Sequence, residues 1–388
     1  MKENVNRTFH IGPIRPPSEA NSLLLQVTSG CTWNRCRFCS LYRHTGFRAY
    51  KVEDICRDID NIADIAEKVA RHYDGAWDLA ALNYEAGLKR DEEERSCYIM
   101  VANWLINGGE NVFLQDGNSV VLSGGKLSEI LRYLKKRLPT IRRITSYGRA
   151  ENLSRVPAEA FAELKEAGLD RIHSGFESGS DAVLQRVSKG VTAEQLVRAG
   201  TNIRAGGIEL SVYFMPGLGG RDLSRENAIG MAQVISACDP DFVRIRTCAI
   251  KPGTELYDDW RTGKFPLAGD DDKVKEIRLL IEEARFGGRI VSDHIVNLLQ
   301  DVQGRCGYGG GDDPGDRTSM LAMIDSYLSM PGVERRVFQL FRRLGRVVRP
   351  SDIAFLDEEK VDSIRRKYGK MPQDEWDIKM NGMISRYI

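Results

Sequence analysis

The chain has 388 residues and a formal net charge of +1, and 42% of its residues are apolar, which suits one large globular domain with an appendage. Because basic and acidic residues nearly balance, we expect no nucleic acid partner. No run of about 18 apolar residues is present, and the N-terminus MKENVNRTFH has no apolar core, so we expect neither a membrane span nor a signal peptide.

Short apolar runs alternate with helical patterns from about residue 20 to residue 250, which predicts parallel strands joined by right-handed helical crossovers. Six strands are predicted, at 22–27, 111–115, 143–147, 171–176, 209–215 and 242–248. Helices are predicted between them at 127–138, 158–167, 181–187, 193–205 and 225–237, with start signals at Pro157 and Thr192 and stop signals at Gly168 and Gly206. We therefore predict an α/β fold, an incomplete (β/α)6 parallel barrel whose chemistry lies at the carboxyl ends of the strands.

Two regions fall outside this rhythm. About eighty residues separate the first two strands, more than a crossover needs, and helical patterns at 52–69 and 79–105 predict a helical insertion after strand one. Beyond residue 265, patterns at 272–284, 293–302, 318–328 and 333–343 predict a mainly helical C-terminal region. Its glycine-rich loop 306–316 is predicted to be either a mobile lid over the barrel mouth or a connector. The predicted domains are an N-terminal extension 1–19, the barrel 20–265 and the C-terminal region 266–388.

Three cysteines follow the first predicted strand as CTWNRCRFC, at Cys31, Cys36 and Cys39. Three thiolates leave one metal position for a ligand other than protein, and thiolates are the usual protein ligands of iron–sulfur clusters. The alternative is a zinc site in which His44 supplies a fourth ligand. The sequence thus indicates a soft-metal site at the carboxyl end of strand one.

This cysteine run resembles that of the radical S-adenosylmethionine (SAM) superfamily, whose usual spacing C-x3-C-x2-C is one residue shorter in the first gap. The resemblance covers roughly residues 20–265 and includes HSGFESGS at 173–180 and FVRIRTCAIKPGTELYDDW at strand six. These phrases resemble the branch related to anaerobic coproporphyrinogen oxidases and cobalamin-type radical SAM proteins. The segment before strand one is too short for a cobalamin domain, so we expect none.

The resemblance implies a [4Fe-4S] cluster held by the three cysteines, and SAM as the second cofactor. It implies that Phe38 contacts the adenine of SAM. Asp116 and Gly117 stand where the family often carries a Gly-Gly-Glu run that meets the methionine amine. There Asp116 is a candidate acceptor for the amine, and Gly117 is expected to allow a close backbone approach.

The same resemblance assigns further cofactor-binding candidates. Glu177 ends strand four and is expected to accept from the ribose hydroxyls or the amine of SAM. Arg186 and Lys189 are candidates to pair with the SAM carboxylate, the alternative being surface charge. Ser146 and Arg149, after strand three, are expected to line the barrel mouth.

Catalytic side chains are less clearly indicated by the sequence. Tyr213 in strand five and Arg246 in strand six are candidates to reach substrate, and Cys248 is a candidate redox or hydrogen-donor thiol. A buried cysteine without chemistry is the alternative for Cys248. His294, in the helix predicted at 293–302, is interpreted as structural.

The function implied by the resemblance is that of a radical SAM enzyme, which cleaves SAM reductively to a 5′-deoxyadenosyl radical that abstracts hydrogen from an organic substrate of unknown class. The alternative is a non-catalytic SAM, iron–sulfur or heme-handling protein on the same fold. The expected partner is an electron donor such as flavodoxin or ferredoxin. The other five cysteines form no disulfide framework, which predicts a reducing, cytoplasmic location, and an open cluster favours anaerobic conditions.

Overall fold

The computed structural model describes residues 8–89, 91–122, 125–307 and 316–387, which form two compact units. The first unit takes in the described residues of Met1–Asn34, Tyr42–His173 and Asn202–Glu209. The second unit takes in those of Arg35–Leu41, Ser174–Thr201 and Leu210–Ile388. Most of the glycine-rich loop predicted at 306–316 lies outside the described residues. The predicted domain boundaries remain predictions.

The first unit carries the first strands and the helical insertion. Its strands are β1 (Leu23–Gln26), β2 (Thr28–Ser29), β3 (Arg48–Ala49), β4 (Asn111–Gln115), β5 (Arg143–Tyr147) and the first part of β6 (Leu169–Glu177). Its helices are α1 (Val52–Ala70), α2 (Leu79–Leu88), α3 (Glu92–Ile106), α4 (Lys126–Arg137), α5 (Ala150–Leu153) and α6 (Ala158–Ala167), with 3₁₀ turns at Pro17–Glu19 and Ser119–Val121. The strands β1, β4, β5 and β6 pair in parallel, in that order.

Hydrophobic spacing explains how α1 packs in this unit. Ile55, Ile59, Ile62 and Ile65 recur every three or four residues and are at most 3% exposed, which makes one apolar stripe along the helix. This helix packs against β1, α3 and α4. Burying each isoleucine contributes about 1.5–3 kcal/mol, so the insertion is an integral part of the core of its unit.

The remaining elements follow β6 along the chain. The helices are α7 (Asp181–Arg186), α8 (Ala193–Ala205), α9 (Ser224–Cys238), α10 (Glu255–Arg261), α11 (Asp270–Glu283), α12 (Arg317–Ser329), α13 (Gly332–Arg343), α14 (Glu358–Tyr368) and α15 (Gln373–Ile384), with a 3₁₀ turn at Pro350–Phe355. The strands are β7 (Glu209–Phe214), β8 (Phe242–Ile245), β9 (Arg289–Val291) and β10 (Gly304–Arg305). The predicted α/β class with a mostly parallel sheet is confirmed.

The sheet continues beyond the six predicted strands. β9 pairs in parallel with β8, and β10 pairs antiparallel with β9. The run Arg289–Val291 buries only Ile290, at 0% exposure, and three residues are too short to give a strand pattern in the sequence. Among the described residues, no helix is both long and apolar enough to cross a membrane.

Two helix predictions were wrong. The single helix expected at 79–105 is two helices, because Asp78 caps α2 by accepting from the Ala81 N–H and Asp91 caps α3 by accepting from the Glu94 N–H, each at 2.9 Å. Asp91 followed three residues later by Glu94 is a capping pattern that marks the start of a helix in the sequence.

The helix predicted at 293–302 is a series of turns instead. Asn297 accepts from the Thr247 N–H at 2.9 Å and donates to the Ile245 carbonyl at 2.7 Å. These hydrogen bonds hold the segment against the end of β8 in a conformation that is not helical. His294 therefore lies outside any helix, and its Nδ1 accepts from the Val296 N–H at 3.3 Å.

Candidate active site

Cys31 lies in the first unit, in the loop that follows β1 and β2, and Gly117 packs directly against it. A Cβ at Gly117 would come to 3.0 Å from the Gly30 carbonyl oxygen and 3.4 Å from both Cα and Cβ of Cys31. Gly30 itself has φ +82°, a conformation that favours glycine. Gly117 therefore packs closely against the first cysteine of the motif, and its predicted approach to the SAM amine stays a prediction.

Asp116 joins the end of β4 to both ends of the cysteine loop. Its carboxylate accepts from the side chains of Gln26 and Tyr42 and from the Gly30 N–H, the last at 3.2 Å. The residue is fully buried, and burial raises the pKa of its carboxyl while these hydrogen bonds oppose the rise. Three internal donors therefore occupy the carboxylate, and contact with the SAM amine stays a prediction for Asp116.

The next residues of the loop, Thr32 and Trp33, are held by side chains that follow β4 and β5. Asn118 donates to Asn152 at 2.6 Å and to Thr32 at 3.3 Å. The Arg149 N–H donates to Asn118 at 3.0 Å, and its guanidinium lies 5.0 Å from the centre of the Trp33 ring. Sequence reasoning singled out Arg149 and missed Asn118 and Asn152, because isolated asparagines carry no pattern.

Arg37 anchors the part of the loop that belongs to the second unit. Its N–H donates to the Val187 carbonyl at 2.9 Å, and its carbonyl accepts from the Leu256 N–H at 3.0 Å. Its guanidinium forms ion pairs with Asp259 at 2.5 Å and with Glu255 at 3.4 Å. Arg37 stands between Cys36 and Cys39, so these contacts fix the backbone that carries two of the three thiols.

Phe38, Glu177 and Lys189, three residues predicted to bind SAM, come together in the second unit. Lys189 Nζ lies 3.0 Å from Glu177 Oε1 and 5.7 Å from the centre of the Phe38 ring. Glu177 has φ +66°, and its carbonyl accepts from the Met215 N–H at 2.8 Å. A Cβ at Gly175 would overlap the Glu177 carboxylate, so this glycine makes the room in which the carboxylate lies.

The three motif thiols are more exposed than most of the other cysteines. Cys31, Cys36 and Cys39 are half-buried, whereas four of the other five are buried. Burial raises the pKa of Cys97 to about 11 and that of Cys248 to about 12, which keeps both thiols protonated. The motif thiols are therefore better placed to ligate metal, and Cys248 is enclosed in an apolar cluster.

A single-metal site is not assembled in the described part of the chain, where no group of three His, Cys, Asp or Glu side chains could hold a metal ion. A zinc ion requires its ligands to converge on one centre, and His44 is exposed. The thiolates of an iron–sulfur cluster bind different irons, so their sulfur atoms surround a larger group and stand farther apart than the ligands of one zinc ion. The three half-buried thiols and the glycine that packs against Cys31 fit the cluster.

The other predicted site residues lie as follows. Arg186 forms a bidentate ion pair with Asp222 at 2.6 and 2.8 Å, which raises the pKa of its guanidinium. Ser146 is fully buried and donates to the Tyr147 carbonyl at 3.1 Å. Arg186 and Ser146 thus have partners within the chain, and their roles in SAM binding stay predictions.

The three catalytic candidates lie on or just after β7 and β8. Tyr213 stands opposite Arg244 in the β7–β8 register. The Arg246 N–H donates to the Phe214 carbonyl at 2.9 Å, and Cys248 is 2% exposed. Burial lowers the pKa of Lys251, and the charge of Arg246 lowers it further. Catalytic roles stay predictions for Tyr213, Arg246 and Cys248.

Comparison with known proteins places the chain in a family. Residues 25–232, just over half of the chain, match the model of the Radical SAM superfamily. The chain therefore belongs to the radical SAM superfamily, as its cysteine motif predicted. Members of this superfamily bind a [4Fe-4S] cluster and SAM, and these are the cofactors of this chain.

The relatives differ in what their names describe. The tRNA uridine(34) acetyltransferase of Methanocaldococcus jannaschii is 25% identical over 117 residues, 30% of this chain and 21% of that protein. The heme chaperone HemW of Bacillus subtilis is 20% identical over 181 residues, 46% of this chain and 47% of that protein. The chain spans about a fifth to about half of the length of these curated relatives. The crystal structure of methylornithine synthase (PylB) aligns with a TM-score of 0.42 and 16% identity, over 84% of each chain.

Proposed function

We propose that this chain is a radical SAM enzyme that cleaves SAM reductively and abstracts a hydrogen atom from an organic substrate. The observation that carries the proposal is the grouping of Phe38, Glu177 and Lys189 around the segment that bears Cys36 and Cys39. An aromatic ring suits the adenine of SAM, a carboxylate suits its protonated amine, and an ammonium suits its carboxylate.

The proposed division of labour follows from side-chain chemistry. Cys31, Cys36 and Cys39 would hold the cluster, which when reduced supplies the electron that splits the sulfonium bond of SAM. Phe38 would stack on the adenine, and Glu177 would accept from the amine or ribose hydroxyls. Lys189 lies 3.0 Å from Glu177, so the two side chains form an ion pair that would orient both of them toward SAM.

Positioning is the task we propose for the buried polar groups around the loop. Asp116 ties Gly30 and Tyr42, which flank the motif, to the end of β4. Arg37 ties the backbone between Cys36 and Cys39 to Val187 and α10. A preorganised loop lowers the conformational cost of ordering three thiolates around a cluster.

Two partners complete the proposal: an organic substrate and an electron donor such as flavodoxin or ferredoxin, under anaerobic conditions. The net charge of +1 gives no general attraction for nucleic acid. The likeness to a tRNA-modifying acetyltransferase covers only 30% of this chain, so no RNA substrate is included.

A second candidate function is heme handling without turnover, which the 20% identity to the heme chaperone HemW over 46% of the chain favours. The two functions separate in one anaerobic preparation of the reconstituted protein. With SAM and a strong reductant, the enzyme should release 5′-deoxyadenosine, whereas a heme carrier should form a stable complex with added heme. Heme binding without 5′-deoxyadenosine, from protein with full iron and sulfide, would favour the second function.

A further inference from the structure

Lys273 is a buried cation that the site described above does not use. It lies near the start of α11 and is 4% exposed. Within the described ranges, its ammonium donates no hydrogen bond and forms no ion pair. A buried ammonium normally requires a partner, because burial removes the water that would stabilise its charge.

The backbone after β7 makes room for this side chain. Gly217 has φ +85°, and a Cβ there would come to 2.8 Å from Cε and 3.1 Å from Cγ of Lys273. Only glycine therefore combines this conformation with passage of the lysine stem. This contact fixes the stem of Lys273 against the backbone that follows β7.

The ammonium of Lys273 acts at the carboxyl ends of β7 and β8. Lys273 is the strongest charge acting on the thiol of Cys248, which follows β8. The Cys248 N–H donates to the Pro216 carbonyl at 2.9 Å, which holds the ends of the two strands together. In parallel α/β sheets ligands bind at the carboxyl ends of the strands.

The buried carboxylate of Glu276, on the same helix, does not serve as the missing partner. Glu276 accepts from the Gly217 N–H at 3.0 Å, from Ser224 at 2.8 Å and from Asn227 at 2.7 Å. It feels the charge of Lys273 without an ion pair. With the acceptor oxygens of Glu276 already engaged, the ammonium is left for a group that comes from outside the chain.

Lys273 also borders the SAM-binding candidates. Cys248 belongs to the apolar cluster against which Phe38 packs, and the charge of Glu177 acts on its thiol. Lys273 itself lies beyond residue 232, where the match to the superfamily ends. The candidates for binding SAM, which the whole superfamily uses, lie within the matched residues 25–232. A cation outside those residues is therefore suited to the substrate, which differs between members.

We propose that Lys273 binds an anionic group of the substrate, a carboxylate or a phosphate, and that the substrate class is therefore anionic. The inference rests on the proposed function, because it places a substrate beside Phe38 and Glu177. An incoming anion would form a charge-assisted hydrogen bond with an ammonium that burial leaves with little contact to water.

The test compares wild type with Lys273→Met and with the control Lys275→Met, which removes an exposed lysine from the same helix. Methionine keeps the apolar stem and removes the charge. Thermal unfolding midpoints of the full chain are measured with and without inorganic phosphate and acetate. We expect either ion to raise the midpoint of wild type and of Lys275→Met and to leave Lys273→Met unmoved. Without ions, Lys273→Met should unfold at a higher temperature than wild type.

Two results would overturn the assignment. One is an equal effect of both ions on Lys273→Met and wild type, or a Lys273→Met variant that is less stable without ions. The second result concerns which molecule supplies the anion, because SAM itself has a carboxylate. A loss of about tenfold or more in the affinity of Lys273→Met for SAM, with none for decarboxylated SAM, would assign the anion to SAM. Because the ion shifts need no turnover, they remain readable even if wild type forms no 5′-deoxyadenosine, which would refute only the proposed function.

Discussion

Gly175→Ala is expected to displace the Glu177 carboxylate and thereby weaken SAM binding. The added methyl group would overlap Glu177 Oε1 and would stand 3.2 Å from both Glu177 Cδ and Lys189 Nζ. The carboxylate is the end of a flexible side chain, so it can rotate away without unfolding β6. The fold should survive while the Glu177–Lys189 pair changes its geometry.

The expected magnitude follows from the interaction that is lost. A hydrogen bond to a charged group contributes about 1.5–3 kcal/mol, so its loss should raise the dissociation constant of SAM roughly ten- to a hundredfold. Glu177→Ala should have a similar effect. The double variant should be no weaker than either single variant, because all three remove the same contact.

Isothermal calorimetry with SAM on the anaerobically reconstituted protein measures these constants. Gly382→Ala is the matched control, since a Cβ at this position in α15 meets nothing within 4 Å. It should bind SAM as wild type does. Unchanged affinity in Gly175→Ala, with the cluster intact, would show that the Glu177 carboxylate is not a SAM ligand.

Three further outcomes are expected. Arg37→Ala removes the 2.5 Å pair with Asp259 and should speed the loss of iron to a chelator, with Arg37→Lys intermediate; equal rates would refute the anchoring role. Burial raises the pKa of Glu276 to about 7 from its usual 4.5, so the folded state holds this proton more tightly and stability should fall as pH rises through that window. In Glu276→Gln, urea unfolding at about pH 5 and about pH 8 should lack that fall. Asn381→Ala removes hydrogen bonds of 3.0 Å to both the N–H and the carbonyl of Ile250. The free energy of unfolding, measured by chemical denaturation, should fall by about 1–3 kcal/mol. A smaller fall would mean that water replaces the amide.

Strong local patterns made most of the fold predictable from sequence. The strands at 111–115 and 143–147 and the helices at 158–167 and 193–205 match the structure residue for residue, because each combines a clear period with Gly, Pro or polar boundaries. The exceptions depend on tertiary contacts. The segment 293–302 has a helical pattern, but Asn297 binds the end of β8 and holds it in turns.

Residues that belong to a local sequence motif could be singled out from the sequence. Contacts between residues far apart in the sequence could not. The phrases around Phe38, Glu177 and Lys189 picked out three side chains that the structure brings together. The ties of Asp116 to Tyr42 and of Arg37 to Asp259 join residues far apart in sequence, with no local signal. Lys273 had no motif at all, and only its burial makes it visible.

The central proposal is that Cys31, Cys36 and Cys39 would hold the [4Fe-4S] cluster and that Phe38 and Glu177 would contact the SAM bound to it. Electron–nuclear double resonance of the reduced protein with ¹⁵N-labelled SAM tests this directly. We predict a ¹⁵N coupling to the cluster in wild type and no cluster signal when all three cysteines are changed to alanine. A wild-type cluster with saturating SAM and no ¹⁵N coupling would contradict the account.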